Sequence, residues 1–191
     1  MKTSLEPYIL ALPSPVWVVG TYDKENKPNV MTAAWGGICN SRPPSIYVSL
    51  REATYSYGNL MDRKAFTVSI SGAKHLREAD YISIASGRDT DKFENTGLSP
   101  GRSTLVDAPY VEEFPLILEC KVVHVTKLGL HTMFVDEIMD IKADEDALTD
   151  GRPDLQKIKP LLFNSGDRGY HSVGSRLADA FTQKNPPKQG E

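Results

Sequence analysis

Across 191 residues, 22 basic side chains face 25 acidic ones, a net charge of −3 with no basic run to trace a phosphate backbone, so nucleic acid is a poor partner. A content of 40% hydrophobic and 25% charged residues suits one soluble domain with a substantial core, and the length leaves no room for two catalytic domains. Cys39 and Cys120 lie far apart in unlike segments, which argues against a disulfide framework or a metal-ligand spacing and for a reduced, cytoplasmic setting. The apolar run from Tyr8 to Gly20 follows Glu6 and is broken by Pro13 and Pro15, so it predicts neither a signal peptide nor a membrane span.

Residues 16–22, β-branched and aromatic, read as a strand that stops at the polar cluster 23–28. A second extended run, 28–37, follows at once, and the pair predicts a β-hairpin. That run carries Asn29, Met31, Thr32, Ala33, Ala34 and Trp35, where a strand built only to fill a core would carry large β-branched side chains. Small residues of this kind either open the backbone to a flat, phosphate-bearing cofactor or let a helix pack closely, and the stretch alone leaves both readings standing. After the break at 41–44, Ile46, Val48 and Leu50 alternate with Tyr47, Ser49 and Arg51, giving a strand with two faces. Ser49 and Arg51, two residues apart, suit one anion as well as they suit a solvated face. Residues 55–63 have helical character. Ser56 near their N-terminus lies where orphan N–H groups favour a negative ligand, unless Thr54 or Ser56 serves only as an N-cap.

Residues 66–70 alternate as a further strand, and Leu76, Ala79, Ile82 and Ala85 at three-residue spacing predict a helix that Gly87 ends at its C′ position. The polar, aperiodic residues 89–97 read as a loop whose Lys92 either closes over a ligand phosphate or is simply solvated. Long extended runs on either side of Gly129 predict a second hairpin, with strands of a length that suits a barrel and with His124 and His131 facing inward. Residues 144–153 carry the turn signal Asp150-Gly151 and read as a surface loop. Residues 161–163 give a last short apolar piece. Residues 176–182 predict a short helix with Leu177, Ala180 and Phe181 on its apolar face, and about 183–191 a frayed tail. The total is about six or seven strands with two or three peripheral helices, in one domain spanning 1–191.

Segments 15–19, 28–35, 43–51 and 66–68, followed in order by Asp91-Lys92-Phe93, His131, Pro160-Leu161 and Tyr170, resemble the flavin reductase-like proteins with an FMN-binding split barrel, and among them the flavoredoxin branch. Each motif is weak alone; the ordered set is specific and covers nearly the whole chain. The resemblance implies a mainly β fold, a six-stranded antiparallel split barrel with peripheral helices, working as a homodimer with FMN near the interface. By position, Asn29, Met31, Thr32, Ala33 and Trp35 would border the flavin, with Ser49, Arg51 and Ser56 toward its ribityl phosphate. Lys92 and His131 would close the site, and Phe163 would lie near its rim. Ser56 stands where the family pattern has threonine, and Asp136 where it has glycine.

The function implied is a flavin-dependent oxidoreductase that takes electrons from reduced nicotinamide and passes them to a flavin, another small acceptor or a redox protein. No Gly-x-Gly-x-x-Gly follows a strand, so NADH or NADPH would dock transiently over the flavin. Two other readings remain: an electron carrier with tightly bound FMN and no nicotinamide reaction of its own, and a flavin-binding module without turnover. In the first two the cofactor carries the chemistry and in the third there is none, so no catalytic side chain is assigned, and the four histidines show no metal spacing.

Overall fold

In the computed structural model, residues 1–182 are described, and the expected frayed tail lies outside them. After the short β1 (Ser14–Pro15), the valine-rich run forms β2 (Trp17–Tyr22) and turns back as β3 (Pro28–Ala33), the expected hairpin. Then come β4 (Gly36–Ser41), β5 (Pro44–Arg51), α1 (Tyr55–Arg63), β6 (Ala65–Ile70), α2 (Leu76–Ile84) and α3 (Lys92–Thr96). A short pair, β7 (Pro100–Arg102) and β8 (Pro109–Val111), precedes the long hairpin of β9 (Leu116–Leu128) and β10 (His131–Ala143). The described chain closes with β11 (Leu148–Thr149), β12 (Arg152–Pro153), α4 (Leu155–Ile158), β13 (Leu161–Asn164) and β14 (Gly169–Ser172).

The main sheet is antiparallel, in the order β3-β2-β6-β9-β10-β5-β4. Its two edge strands, β3 and β4, are consecutive in sequence and joined by Ala34 and Trp35 alone. Three Cα–Cα steps of about 3.8 Å keep Ala33 and Gly36 within roughly 11 Å of each other. The sheet therefore has to curl until its edges nearly meet, which is a split barrel. The run 28–37, expected as one strand, is thus two strands at opposite edges with a corner between them, and the main sheet has seven strands where the resemblance implied six. Small residues permit that corner: a Cβ on Gly36 would lie 2.5 Å from the Trp17 ring.

Val19, Val48, Phe66, Val68 and Phe134 fill the barrel, and Leu60 of α1 packs into the same core. On the outer face, Val18, Val30 and Ile117 lie beneath Ile82 of α2 and Phe93 of α3. Neighbouring Val18 and Val19 serve different cores, so β2 is buried on both faces. Gly20 is required there, because a Cβ would stand 2.0 Å from the Pro109 carbonyl oxygen of β8.

Several local expectations give way to tertiary contacts. Helix α2 ends at Ile84, where Ala85 turns extended with ψ 145°, and Gly87 serves a close passage over Asn29 rather than the helix cap. Residues 176–182 form no helix, and Leu177 and Phe181 are fully exposed: an apolar face that no described residue covers does not offset the cost of nucleating so short a helix. His124 faces outward, not inward. A register shift leaves Val123 as an extra residue between the pairs Asp136–Val122 and Val135–His124, and this bulge reverses the alternation so that Val125 takes the inner position. His131 is half-buried, opposite Arg51 in the ladder. Asp136, in phase with Phe134 on β10, is buried, among the described residues neither of its carboxylate oxygens is hydrogen-bonded, and burial pushes its pKa up to about 8.

Candidate functional site

The N-terminus of α1 opens onto a cavity of about 220 Å³. Met31 and Thr32 of β3, residues 53–56, the stretch 82–88 leaving α2, and Lys92 of α3 enclose it. Thr54 holds the N-cap position but makes no cap bond with its side chain, whose hydroxyl donates instead to the Arg51 carbonyl at 2.9 Å. The Tyr57 N–H donates to the Thr54 carbonyl at 3.3 Å; with no acidic residue in the first turn, the N–H groups of Tyr55 and Ser56 and the positive dipole end of α1 are left for the cavity.

Two buried hydrogen bonds hold α1 in this pose. Asn29 Nδ2 donates to Ser56 Oγ at 2.9 Å, and Asn59 Nδ2 donates to Thr21 Oγ1 at 3.1 Å. Thr21 and Asn29 are paired across the β2–β3 ladder, so one rung of the hairpin grips one side of the helix at i and i+3.

Lys92 is only 5% exposed, and its Nζ donates to the carbonyls of Val30 at 2.8 Å and Ile82 at 3.0 Å. Burial holds its pKa down to about 8. An ammonium has three donors, so one N–H is left over. At the rim, Arg88 donates to the Ala53 carbonyl at 2.8 Å, and its guanidinium lies 5.7 Å from the centre of the Tyr55 ring. Among the described residues no carboxylate lines the cavity. Two cations, a serine hydroxyl and a helix N-terminus with nothing negative beside them make a donor set that fits a phosphate.

Met31, Thr32, Ser56 and Lys92, all expected from the sequence, meet in this cavity. The expected roles of two of them change. The Thr32 hydroxyl hydrogen is committed to the Ala79 carbonyl at 2.7 Å, so toward a ligand Thr32 has only lone pairs to offer. Lys92 is neither a solvated loop residue nor a mobile lid, because α3 and two carbonyls fix it from behind. Asn29 stands behind Ser56, and Ala33 is buried. Trp35 sits at the barrel corner, where its carbonyl accepts the Ser49 N–H at 2.8 Å. Ser49 and Arg51 follow on β5 with His131 opposite Arg51, outside the cavity wall. Phe163 packs on Tyr170 at 6.0 Å between ring centres and lines a separate apolar groove with Leu12 and Pro13.

Arg88, Ser83 and Ser86 are lining residues that sequence reasoning missed. The Ser86-Gly87-Arg88 cluster was the available signal, hidden because Gly87 looked like a helix stop.

A curled antiparallel sheet whose edges nearly meet at a short corner, beside a donor-lined cavity at a helix N-terminus, defines a split barrel, the fold shared by FMN-binding domains. Residues 9–174 match the flavin reductase like domain, and the chain belongs to that family. The structure is similar to flavoredoxin of Desulfovibrio vulgaris (Miyazaki F), with a TM-score of 0.93 and 49% identity over 97% of this chain and 100% of that one. Against flavoredoxin from Methanosarcina acetivorans the TM-score is 0.86 at 28% identity, covering 96% of each chain. A sequence relative from Archaeoglobus fulgidus is 32% identical over 129 residues, 68% of this chain and 72% of that one.

Proposed function

We propose that the protein is a flavin-dependent oxidoreductase that holds FMN by its phosphate in this cavity and passes electrons from NADH or NADPH to a second flavin or another small acceptor. Lys92 carries the reading: it is a buried ammonium whose partners are two neutral carbonyls, in a cavity without a carboxylate. Burying a cation is costly unless an anion answers it, and a phosphate dianion is such an anion.

In this reading Ser56, the first-turn N–H groups of α1 and the spare N–H of Lys92 hold the phosphate, and Arg88 closes over it from the rim. Ala33, through its backbone, and Trp35 would border the ring, and Ser49, Arg51 and His131 would hold the side of the site beyond the cavity. The protein works as a homodimer in this reading, and Phe163 would lie near the rim of the site. Met31 and the exposed Ile84 give the mouth an apolar lip that excludes water. Bound FMN supplies a ring that accepts a hydride and gives up its electrons. The chain orients that ring and neutralises its phosphate, and a nicotinamide docks transiently on the open side.

The 49% identity to a flavoredoxin favours a second reading, an electron carrier whose tightly held FMN is reduced by a redox protein. Anaerobic mixing of the FMN-loaded protein with NADH or NADPH separates the two. Rapid bleaching of the flavin absorbance is the expected result for the reductase. Bleaching by a reduced protein donor and by neither nicotinamide would establish the carrier.

A further inference from the structure

We propose that Asn29 is a positioning residue that sets the polarity of the Ser56 hydroxyl and thereby makes the cavity select flavins that end in a phosphate. This rests on the FMN reading above. It differs from the role implied by resemblance, in which Asn29 borders the flavin directly.

A serine hydroxyl has one hydrogen to donate and two lone pairs to accept with. In Ser56 a lone pair is taken by the Asn29 amide N–H at 2.9 Å. The hydroxyl hydrogen finds no acceptor among the described residues, and Ser56 is only 1% exposed, so the hydrogen is left for the cavity that Ser56 lines. Were the amide reversed, the hydroxyl would donate backward to it and turn lone pairs toward a ligand, which repel a phosphate oxygen.

Three features hold the amide in place. Asn29 is itself 5% exposed and does not line the cavity. Its ladder partner Thr21 is committed to Asn59 and does not compete for it. Gly87 passes directly over it: a Cβ there would stand 2.2 Å from Asn29 Oδ1 and 2.6 Å from the Tyr55 ring. The loop that carries Arg88 to the rim therefore closes on the amide that orients Ser56.

The consequence is a donor directed at the position of a terminal phosphate. A dianionic monoester, all acceptor, gains a charge-assisted bond from it. Riboflavin, which ends in a hydroxyl, gains only a neutral one.

Fluorescence titration of FMN and of riboflavin on the full-length wild type, Asn29→Ala, Ser56→Ala and the double variant tests this. Asn29→Ala should weaken FMN about tenfold or more, the range for a bond to a charged group, and leave riboflavin within about twofold. In the Ser56→Ala background Asn29→Ala should change nothing further. Equal losses for both flavins would show a merely structural role, and a full effect in the Ser56→Ala background would show direct contact; either overturns the proposal. Should Asn29→Ala fail to fold, Asn29→Asp, of equal size but accepting, replaces it in the cycle. Its effect on FMN must then be larger with Ser56 present than in the Ser56→Ala background, and equal effects overturn the proposal. A wild type that binds riboflavin as tightly as FMN would instead remove the phosphate-site reading on which the proposal rests.

Discussion

The Lys92 ammonium keeps its charge in a site with carbonyl partners only, and burial has brought its pKa down to about 8. Replacing it by alanine should weaken FMN binding by about 1.5–3 kcal/mol, measurable by flavin titration at pH 7. Affinity should also depend on pH. Above about pH 8 the free protein loses the Lys92 proton, so binding a phosphate dianion must restore it, and FMN affinity should fall between pH 8 and 9.5. A Lys92→Met variant should bind weakly with no such fall. Asp136 is shifted in the opposite direction, upward. Its folded pKa, about 8, lies above the ordinary 3.8, so the folded chain holds a proton that the unfolded chain releases. Its contribution to stability is full below about pH 4 and drains away toward pH 8, at about 1.4 kcal/mol per pH unit. Asp136→Asn should remove that slope in urea unfolding between pH 5 and 8 and be more stable than wild type at the upper end. The sequence singled out both residues, Lys92 by its place in a family pattern and Asp136 by its departure from one. Neither burial was legible, because the carbonyls of Val30 and Ile82 and the walls of the barrel come from distant segments.

At the scale of elements, local pattern was a good guide where burial followed one period. The helical character of residues 55–63 gives α1 as Tyr55–Arg63, and the alternation from Ile46 to Arg51 gives the buried and open faces of β5. It misled where another element intruded. Gly87 reads as a helix stop and is in fact the point where a loop crosses Asn29, while the bulge at Val123 reverses the face of His124. Gly20 is the severest such contact, because what it would meet is backbone and cannot swing away. Gly20→Ala should destabilise the protein by about 1–3 kcal/mol or more in denaturant unfolding, by forcing β8 off β2. The short pair β7–β8 that makes this contact had no readable period in the sequence.

At the scale of the whole molecule, the barrel leaves β4 as an edge strand whose Ile38 is 83% exposed. An edge strand with unpaired backbone groups and an exposed isoleucine offers a second copy both pairing and apolar contact. If the proposed homodimer uses it, Ile38→Asp should move the sedimentation of the protein from dimer to monomer while leaving the barrel folded by circular dichroism. By itself the sequence determined the strands that alternate, helix α1, the two hairpins and the family, because each is written in neighbouring residues or in motifs in order. Only the tertiary structure decided that residues 28–37 are two strands at opposite edges, that Lys92 is buried, and that Asn29 stands behind Ser56. The physical reason is closure: Ala34 and Trp35 can join β3 to β4 only if seven strands curl together. The cavity assembled by that curl draws on segments around 31, 55, 85 and 92, whose proximity no local period encodes.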